Sequence, residues 1–379
     1  MTKVTFLLSK DPATQHGGDI ELSRVAMRLA ADNFEVAALC LAAEDGATTV
    51  DLVPGGLALT RVRKPPVHKA KVLAGALTQN RSLAHVRFDF PELVRAIDGL
   101  ESDVFVAEHS YMAESFLRSR HFGQRGLVIN TINTESQVWL STRGLIGRIE
   151  EPRLLRDEIR VANAADAVGV YDIEEAEMYR ANGQPKARWL DVTLPPAAEK
   201  LDVASTGPRL GYVGVRDWPP NQEGFLYALE LWPRIAEGIP GAELCIAGPK
   251  KPGAKDPVYP PGVRDLGFVE DLPGFFKTCR ALMAPIKTGG GVRVKILDSI
   301  SKGLPVIGTG PAVGSLPALF DMPTFDDEDA FIAECRRHLL DRDVAVKAGG
   351  DLYEANRAHW ETRKPHRSFE ALVRDAIRD

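Results

Sequence analysis

The sequence predicts two successive α/β domains, each a mostly parallel sheet covered by helices on both faces. Short apolar runs alternate with amphipathic stretches almost throughout the 379 residues, the pattern of strands buried on both faces and joined by helices. The alternation breaks over residues 193–208 (TLPPAAEKLDVASTGP), where proline, small residues and charge occur without periodicity. It then restarts, in a chain already too long for one typical domain.

In the first half, residues 4–8 read as a strand. A Gly17-Gly18 turn follows, with Asp19 placed to cap a helix whose apolar stripe is Leu22, Val25, Ala26 and Leu29. Further strands are expected over 35–41, 103–107, 127–130, 167–170 and 189–192, and helices near 112–118 and 151–165. In the second half, strands are expected over 210–213, 243–247, 282–284 and 304–307. Helices are expected over 222–235 and from about Arg293, and the tail from Ala330 is helical up to a last helix over 369–377. Doubly wound domains bind ligands at the carboxyl ends of their strands. With two such domains, the cleft they form is the expected site.

Composition narrows the function. The net charge of −5 gives no global signal for nucleic acid. Arg61, Arg63, Lys64, His68, Lys69 and Lys71 form a local basic cluster. It reads either as a solvated loop face or as a contact to anionic lipid or an anionic acceptor. No window has the roughly 18 uncharged apolar residues of a membrane span, and the run over 4–8 is too short for a signal peptide core. A cytoplasmic protein is expected, peripheral on the inner membrane face under the lipid reading. Cys40, Cys245, Cys279 and Cys335 are scattered without a CxxC pair, which disfavours a disulfide framework or a zinc site.

The chemistry is concentrated in residues 285–298 (PIKTGGGVRVKILD). This is a strand end, a glycine-rich loop and a helix start. Gly289, Gly290 and Gly291 permit close backbone approach to a ligand. The first helical N–H groups are unpaired at the positive end of the helix dipole, where a phosphate is favoured. Arg293 and Lys295 add two cations. The plain alternative is a flexible loop before an ordinary helix, with Asp298 and Lys302 as an i,i+4 surface pair.

Gly291-Val292-Arg293-Val-Lys295-Ile-Leu297-Asp298, followed by Gly303-Leu-Pro305-Val306, resembles the GxRxKxLExxxxGxPV hallmark of a branch of the group 1 glycosyltransferases (family 4-like), which are retaining and have the GT-B fold. Further resemblances are Gly214 to Gly224 (GVRDWPPNQEG), Gly248-Pro249 after a strand, and Gly267-Phe268-Val269-Glu270-Asp271-Leu272. The N-terminal half matches more loosely, at His16-Gly17-Gly18, Glu108-His109 and Asn133-Thr-Glu135-Ser136.

The resemblance implies residues 1–195 as an acceptor-binding domain, 208–360 as a nucleotide-sugar domain, and 361–379 as a helix crossing back onto the first. It implies donor contacts from Gly214, Arg216, Gly248, Phe268, Val269, Leu272, Gly289, Gly290, Gly291, Val292 and Asp298. His109, Arg293 and Lys295 take catalytic roles, and His16, Gly17, Gly18, Asn133 and Glu135 face the cleft and acceptor. The expected reaction moves a hexosyl group from a UDP- or GDP-sugar or similar donor to an acceptor hydroxyl, with retention and no metal or other cofactor. The acceptor class is a glycan, a lipid-linked compound or a small molecule. Two departures weigh on the donor: the first position of the family's E-x7-E pair is Gly290, and the second is Asp298. They leave open a degenerate binding or scaffold protein and a sugar-nucleotide epimerase. A dinucleotide-dependent oxidoreductase is weaker, because no G-x-G-x-x-G follows the first strand.

Overall fold

The structure, a computed structural model, describes residues 1–251, 253–288 and 293–378. The chain divides into two compact units, with junctions at 192/193 and 362/363. The first holds residues 1–192 and the C-terminal stretch from 363 onward; the second holds the described residues from 193 to 362.

The first unit is built on an eight-stranded sheet of order β3-β4-β2-β1-β5-β6-β7-β8. Its strands are β1 (Lys3–Leu8), β2 (Glu35–Ala42), β3 (Gly46–Val50), β4 (Leu57–Arg63), β5 (Val104–Glu108), β6 (Gly126–Thr131), β7 (Ala167–Val170) and β8 (Ala187–Trp189). All pairings are parallel except β3 with β4. Five residues of β1, six of β2, and all of β5, β6 and β7 are buried, as expected of central parallel strands covered on both faces. The core gathers Leu7, Leu39, Phe105, Phe116, Ile129, Leu154 and Tyr179.

The C-terminal helix Lys364–Arg374 completes this core. Phe369, Leu372 and Val373 are fully buried, and the Phe369 ring stacks on Phe6 of β1 at 6.1 Å. Gly126 and Gly169 make room for it, since a Cβ would stand 2.0 Å from the Ala376 carbonyl oxygen at the first and 2.6 Å from Leu372 at the second.

The second unit has an all-parallel sheet of order β11-β10-β9-β12-β13. Its strands are β9 (Arg209–Val213), β10 (Glu243–Ala247), β11 (Val263–Gly267), β12 (Ala281–Ala284) and β13 (Val306–Gly308). The helix Pro219–Ala236 buries Phe225, Leu231, Trp232 and Ile235 against Tyr212, Leu244 and Ile246. Both sheets have the Rossmann-like winding expected from the alternation. In each, one strand lies between neighbours that lead off in opposite directions: β1 between β2 and β5, and β9 between β10 and β12.

Several local expectations need correction. The antiparallel hairpin β3–β4 was not anticipated; Gly55 and Gly56, at φ 85° and 87°, turn the chain into it. The edge strand β11 was also missed, because its half-exposed residues make no apolar run. Asp19 does not cap the first helix, Gly18–Ala31; Gly17 stands at the N-cap and Asp19 pairs with Lys10 at 2.5 Å. The helix expected over 112–118 is a 3-10 turn, Ser110–Met112, running into the short helix Ala113–Phe116. The last helix lies five residues earlier than expected at its start. Residues 193–208 are irregular but fastened: the Ala197 and Leu201 N–H groups donate to the Ser301 and Lys302 carbonyls at 2.8 and 2.9 Å. Tyr353 Oη and Asn356 Nδ2 donate to the Ala197 and Leu194 carbonyls at 2.6 and 3.0 Å.

Candidate active site

In the first unit the switch point falls at the carboxyl ends of β1 and β5, where an open sheet leaves a crevice. Leu8, Ser9, Lys10, Asp19, Ser23, Glu108, His109 and Ile132 line a pocket there. His109 leaves β5 with φ 69° and ψ 144°, a conformation that is close to glycine-only and costs a side-chain-bearing residue about 1–3 kcal/mol. The residue is buried. Its ring stacks on Tyr111 at 4.9 Å, nearly parallel, and its Nδ1 faces Glu135 Oε1 at 3.4 Å.

Glu135 is held in turn from behind. It begins the helix Glu135–Thr142, whose N-cap Thr134 makes no side-chain cap. The Glu158 carboxyl accepts from the Glu135 and Ser136 N–H groups at 2.6 and 3.2 Å and takes over that task. Burial pushes the Glu158 acid up to about 8, against the hydrogen bond from Ser136.

Beneath His109, Glu108 is buried; it accepts from Ser23 Oγ and, at 3.3 Å, from Asn130 Nδ2. Burial raises its pKa to about 7, against the hydrogen bond from Ser23. The loop ahead of the first helix is well built, with Arg24 donating to the Pro12 and Gln15 carbonyls at 2.9 and 3.2 Å. It presents an exposed His16. Asn133 is partly exposed just before the Glu135 helix.

In the second unit the switch point is at the end of β9. Gly214 and Gly248 end β9 and β10 with their backbones in contact, Gly214 N–H donating to the Ala247 carbonyl at 2.9 Å. Gly248 has φ 145°, and a Cβ there would stand 1.9 Å from the Gly214 carbonyl oxygen. Gly248 is therefore required by the Gly214 carbonyl, and Gly214 by Asn221, whose Cγ would stand 2.8 Å from a Cβ there.

Arg216, expected at the donor, is engaged inside the unit. Its guanidinium donates twice to Asp265, at 2.7 and 2.9 Å, and once to the Gly248 carbonyl at 2.9 Å; only 2% of its side chain is exposed. It fixes the Gly248 turn. Burial works against the Asp265 carboxylate, but hydrogen bonds from Arg216 and Tyr259 hold its pKa below the ordinary value. Phe268, by contrast, is 72% exposed at the end of β11, while Val269 and Leu272 are half-buried.

Gly289, Gly290, Gly291 and Val292 lie outside the described residues. Beyond them, Arg293 is the N-cap of the helix Val294–Lys302, with its guanidinium against Gly314. Lys295, in the first turn, reaches back to the switch point: Nζ donates to the Val213 carbonyl at 3.0 Å and to Asn221 Oδ1 at 2.9 Å. Burial lowers its pKa to about 8. Asp298 pairs with Lys302 one turn on, the ordinary i,i+4 arrangement. Asn221, Glu158, Ser23 and Asn130 are the residues that sequence reasoning did not assign. Asn221 sits in the matched GVRDWPPNQEG element and was legible there; the other three are brought in by tertiary contacts alone.

Residues 207–341 match the family model described as glycosyl transferases group 1. Among curated proteins, no sequence match is found. Solved structures similar over the whole chain include sucrose-phosphate synthase from Thermosynechococcus elongatus, at 17% identity and TM-score 0.71 with 99% of this chain and 98% of that chain covered. Anabaena HepE in complex with UDP and glucose is similar at 14% identity and TM-score 0.66, with 99% of both chains covered. An E. coli protein described as trehalose-6-phosphate bound with UDP-2-fluoro glucose is similar at 11% identity and TM-score 0.62, with 100% of this chain and 99% of that one covered. The chain has the GT-B fold, and its residues 207–341 match a group 1 glycosyl transferase domain.

Proposed function

We propose that the protein is a glycosyltransferase that moves a hexosyl group from a nucleoside diphosphate sugar to an acceptor hydroxyl, with retention and without a metal. The observation that carries this reading is Lys295. A half-buried lysine, lowered in pKa by its withdrawal from water, stands at the switch-point end of β9 in the first turn of a helix. An anionic ligand there is favoured by the lysine and by the positive end of the helix dipole together. Arg293 stands at the same helix start. The ligands of HepE and of the E. coli neighbour, UDP and UDP-2-fluoro glucose, favour a uridine diphosphate donor.

In the proposed reaction the bond from sugar C1 to the diphosphate oxygen breaks, and the diphosphate takes the electron pair. Arg293 and Lys295 stabilise the charge that develops on it. A new bond forms from C1 to the acceptor oxygen as the acceptor hydroxyl gives up its proton. His109, held at a strained backbone position and paired with Glu135, orients the sugar or passes that proton. Asp298 takes the ribose hydroxyls by leaving Lys302.

The test is incubation with UDP- and GDP-sugars and a panel of glycan, lipid-linked and small-molecule acceptors, reading free nucleoside diphosphate and glycoside together. Formation of both, with the anomeric configuration kept, is the expected result. Tight nucleotide binding without turnover across the panel would instead favour the binding or scaffold reading.

A further inference from the structure

We propose that the first unit docks on an anionic lipid bilayer through the helix Lys69–Thr78 and the helix corner at residues 140–149. This inference is independent of the transferase reading. In Lys69–Thr78 the sole buried residue is Ala76, although Leu73 and Leu77 are 51% and 60% exposed. In the corner, Leu145, Ile146 and Ile149 are 73%, 60% and 59% exposed. An isolated exposed leucine needs no explanation, but five on two neighbouring elements do.

The two elements flank one short helix, Leu83–Arg87. Val86 lies against Gly75 of the first, so that a Cβ there would stand 2.9 Å away. The Leu83 N–H donates to Glu150 Oε2 at 2.9 Å on the second. Arg156 of the second also donates to Asn80 Oδ1, just past the end of the first, at 3.3 Å. The corner is fixed, because Gly147 packs on the Trp139 carbonyl, where a Cβ would be 1.9 Å from the oxygen. The apolar side chains are therefore presented by a rigid surface.

Charge selects the occupant. Residues 52–88 contain no aspartate or glutamate, and neither do residues 136–149. The basic cluster expected from the sequence is reduced by the fold: Arg61 is paired with Asp11 at 2.7 Å, and Lys64 is half-buried over Phe88 at 5.0 Å. Lys69, Lys71, Arg143 and Arg148 remain exposed beside the apolar side chains. Large apolar groups beside exposed cations, with the neighbouring acid Glu150 buried and paired with Arg153 at 3.1 Å, fit the boundary of anionic headgroups and acyl chains. A soluble anionic ligand would satisfy the cations and leave Leu145, Ile146 and Ile149 in water. Among the described residues no helix is long and apolar enough to cross a membrane, so the contact is one of lying on the surface.

The full chain should be co-sedimented with vesicles of phosphatidylcholine alone and of phosphatidylcholine mixed with phosphatidylglycerol, while light scattering reads its mass and thermal melting its fold. Binding to the anionic vesicles is expected, weakened by salt and much lower on phosphatidylcholine. Lys69→Gln with Lys71→Gln should lower the partition coefficient by about tenfold or more, at roughly fivefold for each cation lost. Leu145→Ser with Ile149→Ser should lower it by a similar or larger factor, with melting unchanged because all four side chains are exposed. Absence of binding to anionic vesicles overturns the proposal, as does parental binding by both double variants. A dimer that Leu145→Ser with Ile149→Ser dissociates, without vesicle binding, would assign the surface to a second copy instead.

Discussion

Lys295 allows the proposed donor site to be tested by counting protons. Its ammonium has three N–H groups; among the described residues two are given to Val213 and Asn221, and the proposed site assigns the third to a ligand. Burial holds its pKa at about 8, against an ordinary value of 10.5. A diphosphate placed against it restores the ordinary value, and each pKa unit is 1.36 kcal/mol, so the coupling is about 3 kcal/mol. At about pH 9 the free protein has mostly lost this proton and the complex keeps it. Nucleoside diphosphate binding should then take up close to one proton, against about a tenth of one near pH 7. Calorimetry in buffers of different ionisation enthalpy reads this number directly. Lys295→Met should abolish the uptake and weaken diphosphate binding at neutral pH by roughly ten- to a hundredfold, the worth of a charge-assisted hydrogen bond. The linkage to folding has a fixed sign. The unfolded lysine keeps its proton up to about 10.5 while the folded one releases it near 8. The unfolded state therefore binds more protons in that window, and this group makes stability rise with pH across it. Lys295→Met removes that rise. Zero proton uptake at pH 9, or equal uptake by Lys295→Met, would refute the placement of the diphosphate.

Three further outcomes follow from particular geometries. His109→Ala should slow transfer by about 10²–10⁴-fold while nucleotide affinity is kept; His109→Gly should be equally slow but about 1–2 kcal/mol more stable than the alanine variant, because glycine accepts the backbone conformation. Equal melting of the two variants would contradict strain at this position. Gly248→Ala should destabilise the second unit by more than about 2 kcal/mol in chemical denaturation, since the methyl has no path away from Gly214; parental stability would refute the contact. The Glu108 carboxyl, raised to about 7 by burial, binds a proton in the folded state between pH 4.5 and 7 that the unfolded state has lost. Stability from this group is full below that window and falls as pH rises through it, and Glu108→Gln should remove the fall, read as melting temperature against pH.

The sequence was most legible where strands are central and buried on both faces. There the apolar runs of β1, β2, β5, β6, β7, β9 and β10 have no competing period, and their positions were read within a residue or two. Edge elements escaped, because β3 is largely exposed and β11 half-exposed, and both pair through backbone that carries no pattern. Lys295 and Asp298 were singled out from one loop–helix segment, since a phosphate site built on a helix start would be local; Asp298 is in the surface pair with Lys302 that the same spacing allowed. The roles of their partners were not local. Nothing in the spacing of Lys295 and Asn221 shows that they meet, and a helix capped by Glu158, 23 residues beyond its first turn, offers no cap signal at its own start. Arg216 illustrates the converse: a cation in a matched element is used to hold a turn, and only the fold reveals the half-buried Asp265 opposite it.

The C-terminal helix has a consequence for biosynthesis. The first unit begins at residue 1 but owes Phe369, Leu372 and Val373 to the far end of the chain. Translation proceeds at about 5–20 residues per second, so roughly 10–30 s separate residue 192 from the last helix leaving the ribosome. Throughout that interval the face of β1, β6 and β7 that this helix covers has no lid, while the intervening residues 193–362 can fold as their own unit. The order of folding is then the reverse of the order of synthesis. A chain truncated before residue 364 and released from the ribosome should display a second unit resistant to protease beside a first unit that is still cut.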